Sequence, residues 1–253
     1  MFKKIKYLFY NLLHPKLRHK FFEIIFRKLK IIFFKDYTKK INDNNHYKLS
    51  NKDEINKILN ISDIVNPQEM YQSIFEESKR IIKKNPVTLG GAGDLELLYN
   101  ISKINNINKI LETGVANGWS SLSILLSIKD DLKKSLVSID LPYPFKNSEE
   151  YIGRAVPFNL RKKWNLIIDN DKKILSDFLL KDIKFDLIHY DSDKSYDGRI
   201  KSYNIIWKIL NTNGILISDD VSDNNAFAYF SKTKKMKPII YEYKGKHIGF
   251  IKK

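Results

Sequence analysis

From residue 94 onward, short apolar segments alternate with longer segments of helical periodicity, and this alternation restricts the fold more than any other feature. We predict helices at residues 94–104, 117–128, 171–181, 196–210 and 223–232, and strands at residues 108–113, 135–140, 165–168, 185–190, 214–219, 237–243 and 246–252. Strands separated by helices indicate a parallel sheet covered on both faces, here with an antiparallel hairpin at its end. The expected fold class is therefore α/β, with a doubly wound, mostly parallel seven-stranded sheet.

Residues 110–121, ILETGVANGWSS, place two of the chain's ten glycines between a predicted strand and a predicted helix. Glycine lets backbone amides approach a ligand closely, and the following helix presents unpaired N–H groups. In open α/β sheets, ligands bind beyond the carboxyl ends of the strands. The spacing is not the G-x-G-x-x-G of dinucleotide sites, and the sequence has no G-x-x-x-x-G-K-[ST] loop for a nucleoside triphosphate. The segment therefore predicts a ligand site of another kind.

The pattern E-x-G-x-x-x-G-x-S-S resembles motif I of the class I S-adenosylmethionine-dependent methyltransferases, which have a Rossmann-like sheet. The resemblance implies that Gly114 and Gly118 shape the cofactor turn, and that Glu112 acts on the amino-acid end of the cofactor directly or through water. Asp140, at the end of the second strand, would accept hydrogen bonds from the ribose hydroxyls. The remaining predicted cofactor-binding residues are Ser120, Ser121 and, near the adenine, Asp171. Helix capping explains Asp171 equally well.

Two further stretches, FDLIHYDSDKSYDGR at 185–199 and GILISDDV at 214–221, resemble metal-dependent O-methyltransferases of the catechol and caffeoyl type and of the antibiotic-sugar type. The resemblance implies that Asp191, Asp219 and Asp220 bind Mg²⁺. Carboxylates are the hard oxygen ligands that Mg²⁺ prefers, and without a cation they would repel one another. In the alternative, Asp219 or Asp220 caps the next helix and Asp191 stays solvated.

Methylation of a hydroxyl requires a group that removes its proton near the transition state. Lys194 matches the catalytic lysine of the catechol-type enzymes, whereas Asp193 matches the second acid of the D-x-D found in the sugar-type enzymes. The sequence satisfies both patterns, so both residues are candidate bases. Lys194 also replaces the histidine of the D-x-D-H-S-Y version of the sugar-type branch. We interpret His189, just before this site, as a packed residue.

Positive charge is concentrated near the N-terminus. The chain carries a net charge of +16, of which residues 1–40 contribute +10 through twelve basic and two acidic residues. This segment predicts two amphipathic helices separated by Pro15, and apolar residues flanked by lysines are typical of helices on anionic membrane surfaces. The alternatives are packing on the protein's own domain or on a second subunit, as in a homo-oligomer, and binding of nucleic acid.

The polar residues 41–53 predict a linker, and Asn66-Pro67-Gln68-Glu69 predicts the start of a helix that ends near Lys84. We therefore divide the chain into a basic helical extension with its linker (1–47), a helical lead-in (48–87) and a methyltransferase domain (88–253).

The chain has no cysteine, which excludes disulfides and thiolate metal sites and fits the cytoplasm. We identify neither a signal peptide nor a transmembrane helix in the sequence. We expect a cytoplasmic enzyme, peripheral at the inner membrane surface, that transfers a methyl group from S-adenosylmethionine to a hydroxyl of a sugar or glycan intermediate. A small catechol-like phenol is the alternative acceptor. Nucleic acid is disfavoured because no N-P-P-Y-type motif for base amines is present.

Overall fold

The computed structural model describes residues 10–33 and 47–253. The helices are α1 (Arg18–Phe33), α2 (Asp53–Leu59), α3 (Pro67–Met70), α4 (Gln72–Lys83), α5 (Leu95–Lys103), α6 (Trp119–Ile128), α7 (Asp171–Leu180), α8 (Tyr196–Ile209) and α9 (Ala226–Thr233). The strands are β1 (Lys109–Thr113), β2 (Ser135–Asp140), β3 (Trp164–Ile168), β4 (Phe185–Tyr190), β5 (Leu210–Ser218), β6 (Ile239–Tyr243) and β7 (Lys246–Lys252). Short 3-10 turns lie at Ser148–Tyr151, Phe158–Lys163 and Val221–Asp223.

The seven strands form one sheet in the order β3-β2-β1-β4-β5-β7-β6. The first five strands in this order are parallel, and β7 pairs antiparallel with both β5 and β6. The predicted α/β fold is therefore confirmed, including the hairpin at the end. The main difference lies at β5, which begins at Leu210 directly after α8, four residues before its predicted start. The carboxyl ends of β1, β2, β4 and β5 meet along one edge of the sheet.

Two buried apolar layers cover the two faces of the sheet, because successive strand residues point to opposite faces. Ile110 and Leu187 pack in one layer with α5 and α6, whereas Leu111 and Ile188 pack in the other with α7, α8 and α9. The first layer also contains Ile55 of α2 and Phe75 of α4. Residues 48–87, which we predicted to be a helical lead-in, thus share a core with the sheet.

The N-terminal half of the chain agrees in part with the expected helices. Residues 10–13 are helical, residues 14–17 form a turn around Pro15, and α1 follows, whereas residues 1–9 and 34–46 lie outside the described part of the chain. Asn66 caps α3 by accepting a hydrogen bond from the N–H of Gln68 at 3.0 Å. The predicted helix at 67–84 is interrupted at Tyr71, whose φ of −119° and ψ of 40° separate α3 from α4.

The loop between β1 and α6 depends on a glycine at its last position. Gly118 has a φ of +88°, and a Cβ atom there would lie 2.7 Å from the Cα of Gly153. The backbone around Gly153 is held against this loop by hydrogen bonds from its N–H to Ala116 and from Ala155 to Asn117. Gly118 therefore permits both the left-handed turn and the close approach of the 148–156 segment.

We predict that Gly118→Ala destabilises the protein by about 2–4 kcal/mol, because the left-handed backbone and the steric overlap each cost about 1–3 kcal/mol. Gly91→Ala is the matched control, since a Cβ there would meet nothing within 4 Å. Urea denaturation of both variants measures the difference. Equal unfolding midpoints would contradict the requirement for glycine at position 118.

Candidate active site

A cavity of about 330 Å³ opens at the carboxyl ends of β1, β2 and β4. Its walls come from the loop after β1, the Leu141–Pro144 segment after β2, the start of α7, the segment after β4, and the N-terminal segment 11–23. Five of the predicted site residues line it, namely Gly114, Asp140, Asp171, Asp193 and Lys194, together with the predicted metal ligand Asp191. Residues separated by up to 80 positions in the sequence thus meet at one place, at the edge of the sheet where open α/β folds bind ligands.

Asp140 joins the end of β2 to the glycine loop. One oxygen, Oδ2, accepts hydrogen bonds from the N–H groups of Val115 and Ala116 at 3.0 and 2.8 Å, and Oδ1 accepts one from Leu141 N–H at 2.7 Å. Burial raises the pKa of Asp140, while these three amides oppose that effect. Asp140 therefore fixes the loop and presents its carboxylate to the cavity.

Gly114 lies where the loop passes closest to the chain after β4. Its φ is +85°, and a Cβ atom would lie 2.2 Å from the carbonyl oxygen of Asp191. A side chain would therefore displace either the loop or the residue that follows β4. This position couples the cofactor loop to the segment that carries the candidate bases.

Glu112 lies behind the cavity, buried among polar groups of neighbouring elements. Its Oε2 accepts hydrogen bonds from Ser121 Oγ at 2.5 Å and from Ser138 Oγ at 2.7 Å. Glu112 and Ser121 are both fully buried. They thus join β1, β2 and the first turn of α6. Four of the predicted cofactor-binding residues do not line the cavity: Glu112, Gly118, the half-buried Ser120 and Ser121. Their effect on a ligand would pass through the loop.

His189 lies between two buried carboxylates. Its Nδ1 is 3.6 Å from Glu112 Oε1, and its Nε2 is 3.4 Å from Asp219 Oδ1. Burial lowers the pKa of His189, but the two carboxylates outweigh burial and raise the pKa to about 10. The imidazole is therefore protonated at neutral pH and faces an acid on each side. This agrees with its interpretation as a packed residue.

The three acids predicted to bind metal lie at the ends of β4 and β5, with a lysine between two of them. Lys194 Nζ is 3.1 Å from Asp191 Oδ1 and also contacts Asp220 Oδ2, and Lys246 Nζ is 3.0 Å from Asp220 Oδ1. Burial raises the pKa of Asp191 to about 6, assisted by Asp219 and opposed by Lys194. Burial raises the pKa of Asp220 as well, but the two lysines outweigh it and lower that pKa.

Among the residues that the structure describes, no three histidines or acids form a group that could hold a metal ion. The reason lies in the pairing of the acids: Asp219 faces His189, while Asp191 and Asp220 face Lys194. The donor atoms nevertheless suit a hard dication, since all are carboxylate oxygens. One of them, Asp191 Oδ1, is buried and lies 3.1 Å from the Lys194 ammonium.

The two candidate bases are both ion-paired. Burial lowers the pKa of Lys194, but Asp191 and Asp220 outweigh it and raise the pKa above its usual value. For Asp193, burial raises the pKa, but the pairing with Lys172 at 2.9 Å outweighs it and lowers the pKa. At neutral pH Lys194 carries its proton and Asp193 does not. Nearby, Asp171 accepts a hydrogen bond from Ser192 Oγ at 2.6 Å.

The N-terminal segment supplies cavity residues that the sequence analysis did not assign to the site. Leu17, His19, Lys20 and Glu23 all line the cavity. Glu23 is paired with Lys172 at 2.9 Å, and Lys172 is also the partner of Asp193. The sequence carried one signal of this arrangement, because Glu23 is the single acid of a helix otherwise rich in basic residues. The pairing of Glu23 with Lys172 could not be predicted from the sequence, because the two residues are 149 positions apart.

Known proteins that resemble this chain in sequence or in structure are methyltransferases. Residues 111–221 match a protein family described as a methyltransferase domain. A protein of Dictyostelium discoideum named as a probable caffeoyl-CoA O-methyltransferase 3 is 34% identical over 122 residues. That match covers 47% of this chain and 46% of the relative, so the chain matches less than half of the relative's length.

Solved structures share the fold over most of the chain. An O-methyltransferase from Bacillus cereus in complex with SAH superimposes with a TM-score of 0.56 at 15% identity, covering 79% of this chain and 97% of the other. An SAH-bound methyltransferase of Podospora anserina has a TM-score of 0.55 at 15% identity, covering 82% and 98%. At these identities the likeness establishes the fold alone. The chain therefore shares its fold with these methyltransferases, and residues 111–221 also match a methyltransferase domain in sequence.

Proposed function

We propose that this protein is an S-adenosylmethionine-dependent O-methyltransferase. The observation that carries the proposal is the convergence of Asp140, Gly114 and the Asp191–Lys194 segment on one cavity at the carboxyl ends of the parallel strands. S-Adenosylmethionine supplies the methyl group from its sulfonium, and the acceptor oxygen forms the new C–O bond as the C–S bond breaks. The chain must therefore hold the cofactor, orient the acceptor hydroxyl and remove its proton.

Cofactor binding falls to the groups around the loop after β1. Asp140 faces the cavity with a carboxylate that two hydroxyl donors could share, and the amides of Val115 and Ala116 already position it. Glu112 holds Ser121 and Ser138 beneath the loop, which keeps the first turn of α6 close to β2. The cofactor would thus bind to a surface that the buried hydrogen bonds have already shaped.

We expect Asp140→Ala to weaken S-adenosylmethionine binding about 10- to 150-fold, because a hydrogen bond to a charged group contributes about 1.5–3 kcal/mol. Asp169→Ala is the matched control, since this acid follows the neighbouring strand β3 and pairs with Lys173 instead. Isothermal titration calorimetry measures both affinities, and thermal unfolding checks that each variant is folded. Unchanged affinity in a folded Asp140→Ala would rule out the ribose assignment.

Proton removal can be assigned by the pH dependence of the chemical step. Lys194 has a raised pKa, so as a base it would act only after losing a proton that two carboxylates retain. Asp193 has a lowered pKa and is already ionised, although it is a weaker base. Both residues line the cavity, and the fold alone does not choose between them.

We predict that replacing the true base slows the chemical step by about 10²- to 10⁴-fold. If Lys194 is the base, kcat rises about tenfold per pH unit on the alkaline side of neutrality, and Lys194→Ala abolishes this rise. If Asp193 is the base, kcat is flat from about pH 6 to about pH 9, and Asp193→Ala carries the loss. Single-turnover kinetics across this range measure both. Full rates in both variants would exclude both residues.

We further propose that Asp191, Asp219 and Asp220 can hold Mg²⁺. The three carboxylates have the right donor chemistry, and Asp191 and Asp220 already face a positive charge, the Lys194 ammonium, which a dication could replace. When bound, the ion would lower the pKa of the acceptor hydroxyl and fix its direction. For this, Lys194 would move away from Asp191 and Asp220, and Asp219 would turn from His189.

For the acceptor we propose a hydroxyl of a sugar or glycan intermediate. A second cavity of about 300 Å³ adjoins Asp193 and is lined by charged groups, among them Glu23, Lys172 and Lys201, as well as by two phenylalanines. Charged and aromatic groups together suit an acceptor with several hydroxyls. A small catechol-like phenol is the alternative, favoured by the name of the Dictyostelium discoideum relative.

We expect methyl transfer from labelled S-adenosylmethionine to glycans, and to neither phenols nor RNA, when each class is tested as acceptor.

We also expect a chelator to stop turnover while S-adenosylmethionine affinity is retained, since Asp140 and the acids that follow β4 and β5 lie on different strands. Asp220→Asn should weaken Mg²⁺ binding in calorimetry. Transfer to phenols would change the acceptor assignment, and full activity in chelator would remove the metal.

A further inference from the structure

Helix α1 presents two chemically different faces. One face is turned to the domain, where Lys20 and Glu23 line the main cavity and Glu23 pairs with Lys172 at 2.9 Å. The preceding turn is anchored as well, because Leu17 is buried and Lys16 pairs with Glu149 at 3.0 Å. These contacts hold the helix in one orientation on the domain. That orientation determines which residues of α1 point away from the domain.

The other face is apolar and exposed. Five large side chains recur at helical spacing along it and are exposed by 38–69%: Phe22, Ile25, Phe26, Leu29 and Ile32. Among the described residues, exposed large apolar side chains elsewhere lie at scattered positions, for example Leu132, Phe158 and Leu180. A continuous stripe of this size on one helix marks an interaction surface.

The charge around this stripe is one-sided. Glu23, the single acid in the sequence of α1, is turned toward Lys172 and is neutralised there. The sequence of the same helix contains five basic residues, and residues 1–40 together have a net charge of +10. The exposed surface of α1 is thus apolar along the stripe, and the described basic residues Arg18 and Lys28 are exposed on the same helix.

We propose that the exposed face of α1 docks on an anionic phospholipid bilayer, with the helix lying in the plane of the interface. Apolar side chains would enter the acyl boundary, and the lysines and arginines would contact the lipid phosphates. A second copy of the chain fits this face less well, because pairing would bring two positive surfaces together. Nucleic acid would use the basic residues but leave five large apolar side chains exposed. None of the described helices is long and apolar enough to cross a membrane.

Docking in this way would set the mouth of the site against the lipid. Phe22 and Phe26 belong to the exposed stripe and also line the second cavity, whose opposite wall contains Asp193 and Ser195. An acceptor carried by a lipid would then reach the candidate base without leaving the interface. This last step rests on the proposed methyl transfer, whereas docking itself does not.

The test is co-sedimentation of the full chain with vesicles of phosphatidylcholine alone or with phosphatidylglycerol added. We expect binding to the anionic vesicles only, weakened by raised salt. Phe26→Glu should weaken it tenfold or more, roughly the effect of withholding one large side chain from the apolar phase. Phe158→Glu is the matched control, since this phenylalanine is 90% exposed but lies outside α1, in the turn before β3.

Equal losses in the two variants, or equal binding to neutral and anionic vesicles, would overturn the proposal. So would a dimer in analytical ultracentrifugation that Phe26→Glu dissociates while vesicle binding is unchanged, because the face would then belong to a second copy. Tight binding of RNA that survives Phe26→Glu, with no vesicle binding by the wild type, would assign the positive charge to nucleic acid. S-Adenosylmethionine affinity, measured in parallel, separates this outcome from failure of the proposed function.

Discussion

The candidate site is built on a cluster of buried charges beneath the cavity, formed by Glu112, His189 and Asp219. Glu112, His189 and Asp219 come from β1, β4 and β5, and Glu112 is the register partner of both His189 and Ser138. Two carboxylates and one imidazolium can be buried together only because each charge faces an opposite one; removal of a partner from such a set costs about 3–5 kcal/mol. This buried charge cluster fixes the strand ends relative to one another. The loops that follow the strands are positioned by the same contacts.

A second set of paired charges lies at the cavity above the buried charge cluster, and these pairs border solvent. Lys194 lies between Asp191 and Asp220, and Lys172 lies between Asp193 and Glu23. Each lysine could release one of its carboxylates to a ligand group or a dication at modest cost, since the pairs border solvent. The buried charge cluster thus holds the strand ends in place, whereas the charges at the cavity can rearrange when cofactor and acceptor bind.

The N-terminal helix connects these layers to the surface. Through Glu23 and Lys172 it reaches Asp193, and through its opposite side it exposes the apolar stripe. Our sequence analysis treated membrane binding and packing on the domain as alternatives. The structure shows that packing holds for one face, and we propose membrane docking for the other, because a helix has room for both on opposite sides.

The fold class is predictable from the amino-acid pattern, because the alternation of apolar strands and helices allows few arrangements. Most predicted strands lie within a residue or two of the observed ones. It also predicts that Asp140, Gly114 and the Asp191–Lys194 segment meet, since strand-end residues of a parallel sheet converge at one edge, and these residues line one cavity. The partner of each charged side chain, in contrast, could be found only from the folded protein. Glu112 faces buried serines and a histidine, Asp219 faces the same histidine, and Glu23 enters the site from a helix some 150 residues earlier in the chain than Lys172. Such pairings depend on side-chain distances between elements far apart in sequence, which local patterns do not encode.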